Sequence, residues 1–259
     1  DLSGQKVALV KEITYAPDEL YNFETTVTEI FVASVDNIAG AQQVTFTRIA
    51  SAHSPSFSPD GNQLVFVSDF DGDDELWLID LQRENVTQLT NNDSQDRDPD
   101  WSPDGTRIVY ASDFYTGTFE ITMLEFPAQG SSANSGDAGQ NVITQVTNSQ
   151  GNSLQPKWSD DAQWITLIND GDGDGDVVIM DKNGVRRQVL TLSDNGAEDK
   201  NPSFTPDGRY ISFISNREDE KFQAYLISVN GREIIRLTDT DNIAETIDYR
   251  PKLIFRIQP

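Results

Sequence analysis

The sequence predicts an all-β fold, a β-propeller of four-stranded antiparallel blades. Three observations lead there. A motif recurs four times, as "SPSFSPDGNQLVFVSD" from Ser54, "DPDWSPDGTRIVYASD" from Asp98, "QPKWSDDAQWITLIND" from Gln155 and "NPSFTPDGRYISFISN" from Asn201. Its prolines, Pro55, Pro99, Pro156 and Pro202, lie 44, 57 and 46 residues apart, which is the period of a propeller blade. Apolar and polar residues alternate with period two and show essentially no helical period.

The elements of each unit follow in order. Proline and an aromatic two residues later (Phe57, Trp101, Trp158, Phe204) mark a first strand, and the aromatics read as packing between blades. Pro-Asp-Gly then makes a tight turn, because Pro fixes φ and Gly accepts positive φ. An apolar second strand follows. The segments "ELWLID", "EITMLE", "VVIMD" and "QAYLIS" read as third strands, and "VTQLT", "ITQVT", "QVLTL" and "IIRLT" as fourth strands. Trp77 in a third strand and Trp164 in a second strand read as core. Residues 127–140, rich in Gly, Ser and Ala, read as a flexible excursion between the last two strands of their unit.

The ends of the chain are the informative part. "SGQKVALV" from Ser3 aligns with a second strand that lacks its first, and "TEIFVASV" and "QQVTFT" continue that unit. "YRPKLIF", with Pro251 and Leu253, looks like a first strand with nothing after it. The expectation is a single domain over residues 1–259, with five blades closed by the C-terminal strand pairing into the N-terminal blade, which would remove an exposed sheet edge. The alternative is six blades.

Composition narrows the function. There are 19 Lys and Arg against 43 Asp and Glu, a net charge of −24. Such a surface disfavours nucleic acid and anionic lipid and attracts cations. Cysteine is absent and His53 is the single histidine, which excludes disulfides, thiolate chemistry and a multi-histidine metal centre. No apolar run is long enough to insert into a membrane. The chain starts at Asp1 without Met, which reads as a processed N-terminus with its signal segment removed.

The motif P-x-[FW]-[ST]-P-D-G, followed by an apolar strand and "SD" or "SN", resembles the WD-repeat-like blades of the TolB family of propellers. Related blades form the lids of prolyl oligopeptidase-type enzymes. The resemblance covers nearly the whole chain through four copies, and implies the propeller fold more than any activity. TolB propellers generally have six blades and a separate N-terminal α/β domain, whereas five blades and no such domain are legible here.

Two acidic stretches read as calcium loops. In "NDGDGDGDVVIMD", Asp170, Asp172 and Asp174 hold positions one, three and five of a twelve-residue loop. Gly175 is at six, Asp176 at seven and Asp181 at twelve. Hard oxygen ligands from alternate residues around a glycine-relieved turn suit Ca²⁺. The weaker match, "SDFDGDDELWLID", offers Asp69, Asp71, Asp73 and Asp80, with Asp74 where Gly would stand. The competing reading is a plain turn in which Asp caps backbone N–H groups.

The residues just before each repeat proline belong around one mouth of the channel. Two before the prolines stand His53, Arg97, Leu154, Lys200 and Tyr249, and one further back Ala52, Asp96, Ser153, Asp199 and Asp248. This mixed ring is where a peptide or small ligand would dock. Three functions follow. The first is a non-catalytic, calcium-supported binding module that presents its mouth to a protein or peptide partner. It would be monomeric and periplasmic, extracellular or at the cell surface. The second is a carbohydrate-active enzyme that uses Asp96, Asp199 and Asp248 as channel carboxylates. The third is a lid or sensor domain of a larger protein. The residues favour the first, a protein that is not an enzyme.

Overall fold

The computed structural model describes residues 4–20, 22–127, 141–191, 196–218 and 221–238. They form five antiparallel sheets arranged as a five-bladed propeller, with no helix among the described residues. Blade 1 has three strands, β1 (Lys6–Tyr15), β2 (Thr25–Ser34) and β3 (Asn37–Gln43). Blade 2 runs β4 (Ala52–Phe57), β5 (Gln63–Ser68), β6 (Glu75–Asp80), β7 (Asn85–Gln88). Blade 3 runs β8 (Asp96–Trp101), β9 (Arg107–Ser112), β10 (Glu120–Glu125), β11 (Val142–Gln145). Blade 4 runs β12 (Ser153–Trp158), β13 (Trp164–Asn169), β14 (Asp176–Asp181), β15 (Arg187–Val189). Blade 5 runs β16 (Asp199–Phe204), β17 (Tyr210–Ser215), β18 (Gln223–Ser228), β19 (Ile234–Arg236). Blade 1 starts at a second strand, as its sequence implied. The closing strand proposed at Pro251, and residues 128–140 of the excursion, lie outside the described residues.

Within each sheet the strands pair in chain order, and β4, β8, β12 and β16 pack successively against one another. The first strands therefore line the axis, and the exposed fourth strands form the rim. Second strands depart from the expected alternation: β5, β9, β13 and β17 are buried almost throughout. The reason is that each blade is covered on both faces by its neighbours. The core accordingly lies between blades. Trp158 joins Val109, Ile121 and Met123 of blade 3 to Ile165, Leu167 and Val178 of blade 4. Trp101 and Phe204 hold the same place at their junctions, and Phe57 packs at the edge of the junction between blades 1 and 2. Trp77 and Trp164 are only half-buried, a correction to the expectation of core: each packs against the edge of a junction cluster and not within it.

The proline breaks the innermost strand's register. Each first strand shifts register across it, at His53/Ser56, Arg97/Asp100, Leu154/Lys157 and Lys200/Ser203. Proline has no N–H to donate, which the strand beside the channel tolerates because one of its edges is unpaired. The preceding residue, Ser54, Asp98, Gln155 or Asn201, takes a φ of 49 to 53°, forming a bulge.

The tight turn is built alike in blades 2 to 5. The Ser58 hydroxyl donates to Asp60, which also accepts from the Asn62 N–H, and Gly61 has a φ of 67°. The Ser58 hydroxyl and the Asn62 N–H hold the Asp60 carboxyl below its ordinary range. Blade 4 has Ala162 at the glycine position, with a φ of 55°. Ala162→Gly is therefore expected to raise stability by about 0.5–1 kcal/mol, the relief of left-handed strain less the added chain entropy. Urea midpoints at constant slope would measure the gain.

Candidate functional site

The conserved geometry of the blades explains the "SD" motif first. After each second strand, an acid or amide reaches back to the segment before the first strand of its own blade. Asp69 accepts from the Ser51 N–H at 2.7 Å, Asp113 from Gln95 at 2.9 Å and Asn216 from Glu198 at 2.8 Å. Asp170 does the same with Asn152, through both the backbone N–H and the side-chain amide. The last members of the two proposed loops are caps as well. Asp80 accepts from the N–H groups of Gln82 and Arg83, and Asp181 from those of Asn183, Val185 and Arg186.

These findings correct the proposed ligand sets. A six-residue strand, β6 or β14, separates positions seven and twelve, a length of about 17 Å. Asp80 and Asp181 therefore cannot join Asp71 or Asp172 around one ion, and neither stretch folds as a twelve-residue calcium loop. Positions three, five and seven remain, and here the two blades differ. In blade 2, carboxylate oxygens of Asp71, Asp73 and Glu75 lie within 4.8 Å of one another. In blade 4, Asp172 and Asp174 interact, and burial with that contact raises Asp174. There Asp176, one methylene shorter than Glu75, turns to the Thr191 hydroxyl at 3.3 Å. Among the described residues no three-acid group forms in blade 4.

Glu75 belongs to a repeated buried feature that the sequence reading missed. The first residue of each third strand, or its equivalent in blade 1, is Glu29, Glu75, Glu120, Asp176 or Gln223, and each is essentially inaccessible. It accepts from a threonine two residues past the last strand of its blade, Thr45, Thr147, Thr191 or Thr238, and in blade 2 Thr90 faces Glu75 in the same way. The same five threonine positions, with Thr90 in blade 2, also accept the next backbone N–H, as at Leu76. The signal available in the sequence was the Thr two residues past each blade's last strand, paired with an acid or amide opening the strand before it, or at the equivalent place in blade 1.

Asp96 and Asp199, expected at the channel mouth, are instead 0% and 1% exposed at blade junctions. Arg217 holds Asp199 with one nitrogen at 2.9 and 2.8 Å from its two oxygens. Neither carboxylate is accessible to a sugar, so the pair does not supply the carboxylates of a glycosidase. Asp248 and Tyr249 lie outside the described residues. His53, Arg97 and Lys200 do share one level, each second in its first strand and opposite the residue before the third strand of its own blade. His53 lies 3.7 Å from Asp74, Arg97 stacks over Phe119 at 5.0 Å and Lys200 over Phe222 at 3.5 Å. Arg97 also pairs with Asp74 of the preceding blade at 3.2 Å. Below them a polar belt crosses the junctions: the Gln155 N–H donates to Asp98, and the Asn201 N–H to Gln155.

With this geometry the relatives can be placed. Residues 10–135 match the family model described as the TolB β-propeller domain. The repeats in this stretch are of the TolB propeller type. A Protein TolB homolog of Chlorobium chlorochromatii is 32% identical over 159 residues, which are 61% of this chain and 32% of the relative. This chain thus matches about a third of that relative's length. The crystal structure of TolB from Acinetobacter baumannii superposes with a TM-score of 0.65 at 20% identity, over 92% of this chain and 64% of that one. Hydrazine synthase from Kuenenia stuttgartiensis superposes equally well, with a TM-score of 0.67 at 13% identity over 92% of this chain and 40% of that one. At such identities the likeness shows the fold alone, and TolB-type blades occur beside very different activities.

Proposed function

We propose that this TolB-type propeller is a non-catalytic binding module that docks an acidic protein or peptide segment at the channel mouth. Its place of action is the periplasm or cell surface, as the resemblance to TolB propellers implies. The observation that carries the reading is the ring of His53, Arg97 and Lys200. The His53 imidazole and the Arg97 and Lys200 cations are 34%, 44% and 33% exposed on one end of a chain whose net charge is −24, with Asp74 beside His53 and Arg97 and Glu198 3.6 Å from Lys200. An incoming carboxylate competes with Asp74 and Glu198 for these cations, while the acidic surface elsewhere repels it. Phe119 and Phe222 back two of the cations, adding apolar contact for a peptide side chain. The catalytic alternative is disfavoured because its two described carboxylates are buried.

The test is selection of random displayed peptides on the immobilised protein, followed by affinity measurement. Acidic peptides are expected to be enriched, and Arg97→Glu with Lys200→Glu should weaken them by about tenfold or more. Circular dichroism would confirm that the variant is folded. Enriched peptides that bind parent and variant equally, or carry no acidic bias, would sink the reading.

A further inference from the structure

Blade 2 carries a second feature, independent of the mouth reading. Asp71 is exposed, Asp73 half-buried and Glu75 fully buried, yet their carboxylates converge within 4.8 Å. One Asp71 oxygen accepts from the Gln88 amide. One Glu75 oxygen accepts from the Asn92 N–H, and the other has no hydrogen-bond partner although it is shut off from solvent. Asp96, at the start of β8 in the next blade, is likewise fully buried; one oxygen lacks a donor, while Ser112, Thr90, Asn92 and Glu75 lie in hydrogen-bond contact with its carboxyl. The Thr90 hydroxyl faces both acids.

The corresponding junction in blade 5 shows how such a charge is normally balanced. There the Asp199 N–H donates to the carbonyl of Gly175, the residue before Asp176, and Arg217 supplies the positive charge. Two residues after β9, the position that corresponds to Arg217 holds Phe114, 55% exposed. Arg97 is engaged with Asp74. Among the described residues, no cationic side chain pairs with Asp71, Asp73, Glu75 or Asp96 within ion-pair distance. A junction that gathers buried carboxylates without a counter-charge is costly until a proton or a cation neutralises it.

We infer that Asp71, Asp73 and Glu75 bind a divalent cation of the Ca²⁺ type at the junction of blades 2 and 3, with Asp96 beside it as a further negative charge. Oxygen ligands about 2.4 Å from one Ca²⁺ lie no more than about 4.8 Å apart, whereas Mg²⁺ requires a tighter set. The cation occupies the place that the Arg217 guanidinium takes in blade 5, and ties the β5–β6 loop to the junction.

Calorimetric titration and thermal melts of chelator-treated protein, at matched ionic strength, would test this. Ca²⁺ is expected to bind as a single ion and raise Tm by several degrees, with Mg²⁺ giving a smaller shift. Asp71→Ala with Asp73→Ala should abolish both responses and remain folded, since these side chains are largely outside the core. Glu75→Gln, which keeps an acceptor for Asn92, should weaken Ca²⁺ at least tenfold. Asp172→Ala with Asp174→Ala, the matching pair in blade 4, should leave the response intact. The inference is overturned if the parent gives neither heat nor shift, if the blade 2 variants respond as the parent does, or if the blade 4 variant loses the response.

Discussion

Arg217→Met is expected to destabilise the protein by about 3–5 kcal/mol, the cost of leaving a buried carboxylate without its partner. The guanidinium sits 4.8 Å from the Phe213 ring and 5.4 Å from the Tyr225 ring, donates to the Ser215 hydroxyl at 2.9 Å and holds both oxygens of Asp199. Methionine retains much of the apolar stem and removes every charged contact. What remains is the Asp199 carboxylate at 1% exposure without its counter-charge. Asp199→Asn in the same background should recover a large part of the loss, because an amide carries no charge to strand. Urea unfolding of the two single variants and the double variant gives the coupling directly. Additive losses would mean that the pair is not coupled and that the guanidinium acts through packing alone.

Trp158→Ala is expected to cost about 3–5 kcal/mol. The indole is 1% exposed and spans the junction of blades 3 and 4, where it touches the side chains of both second strands. Alanine would leave a cavity that rigid sheets on both sides cannot close. Trp158→Phe should cost much less, about 1–2 kcal/mol, since the ring volume is partly kept and the indole N–H makes no hydrogen bond to lose. Equal losses for the two variants would show that the junction reads indole shape and not volume. Both effects should be visible as shifts in thermal and urea midpoints.

Much of the fold was legible because its determinants are local and repeated. Proline at a strand beside the channel, an aromatic two residues on, and Ser-Pro-Asp-Gly closing a hairpin each act over a few residues, and their recurrence identified blades 2 to 5 and the incomplete blade 1. The alternating pattern was less faithful. Second strands such as β9, with Val109, Tyr110 and Ala111 all buried, are apolar on both faces, because a blade has neighbours on both sides.

The acidic turns show where sequence reading stops. Alternate aspartates in residues 69–80 and 170–181 made two similar loops on paper, and the second matched the calcium pattern better. Folding divides each stretch among three tasks. Asp69 and Asp170 fasten the segment before the first strand, Asp80 and Asp181 cap the turn after the third strand, and the residues between them face the blade junction. Only side-chain length and the neighbouring blade then separate the two. Glu75 comes within ligand distance of Asp71 and Asp73 where Asp176 forms no such group with Asp172 and Asp174, and Arg217 neutralises one junction while Phe114 leaves the other negative. The sequence by itself determined the blade, its period and the aromatic seams, since these depend on short-range pattern and burial. The tertiary structure decided which carboxylates meet, because that depends on contacts across blades between residues such as Glu75 and Asp96, which no local pattern brings together.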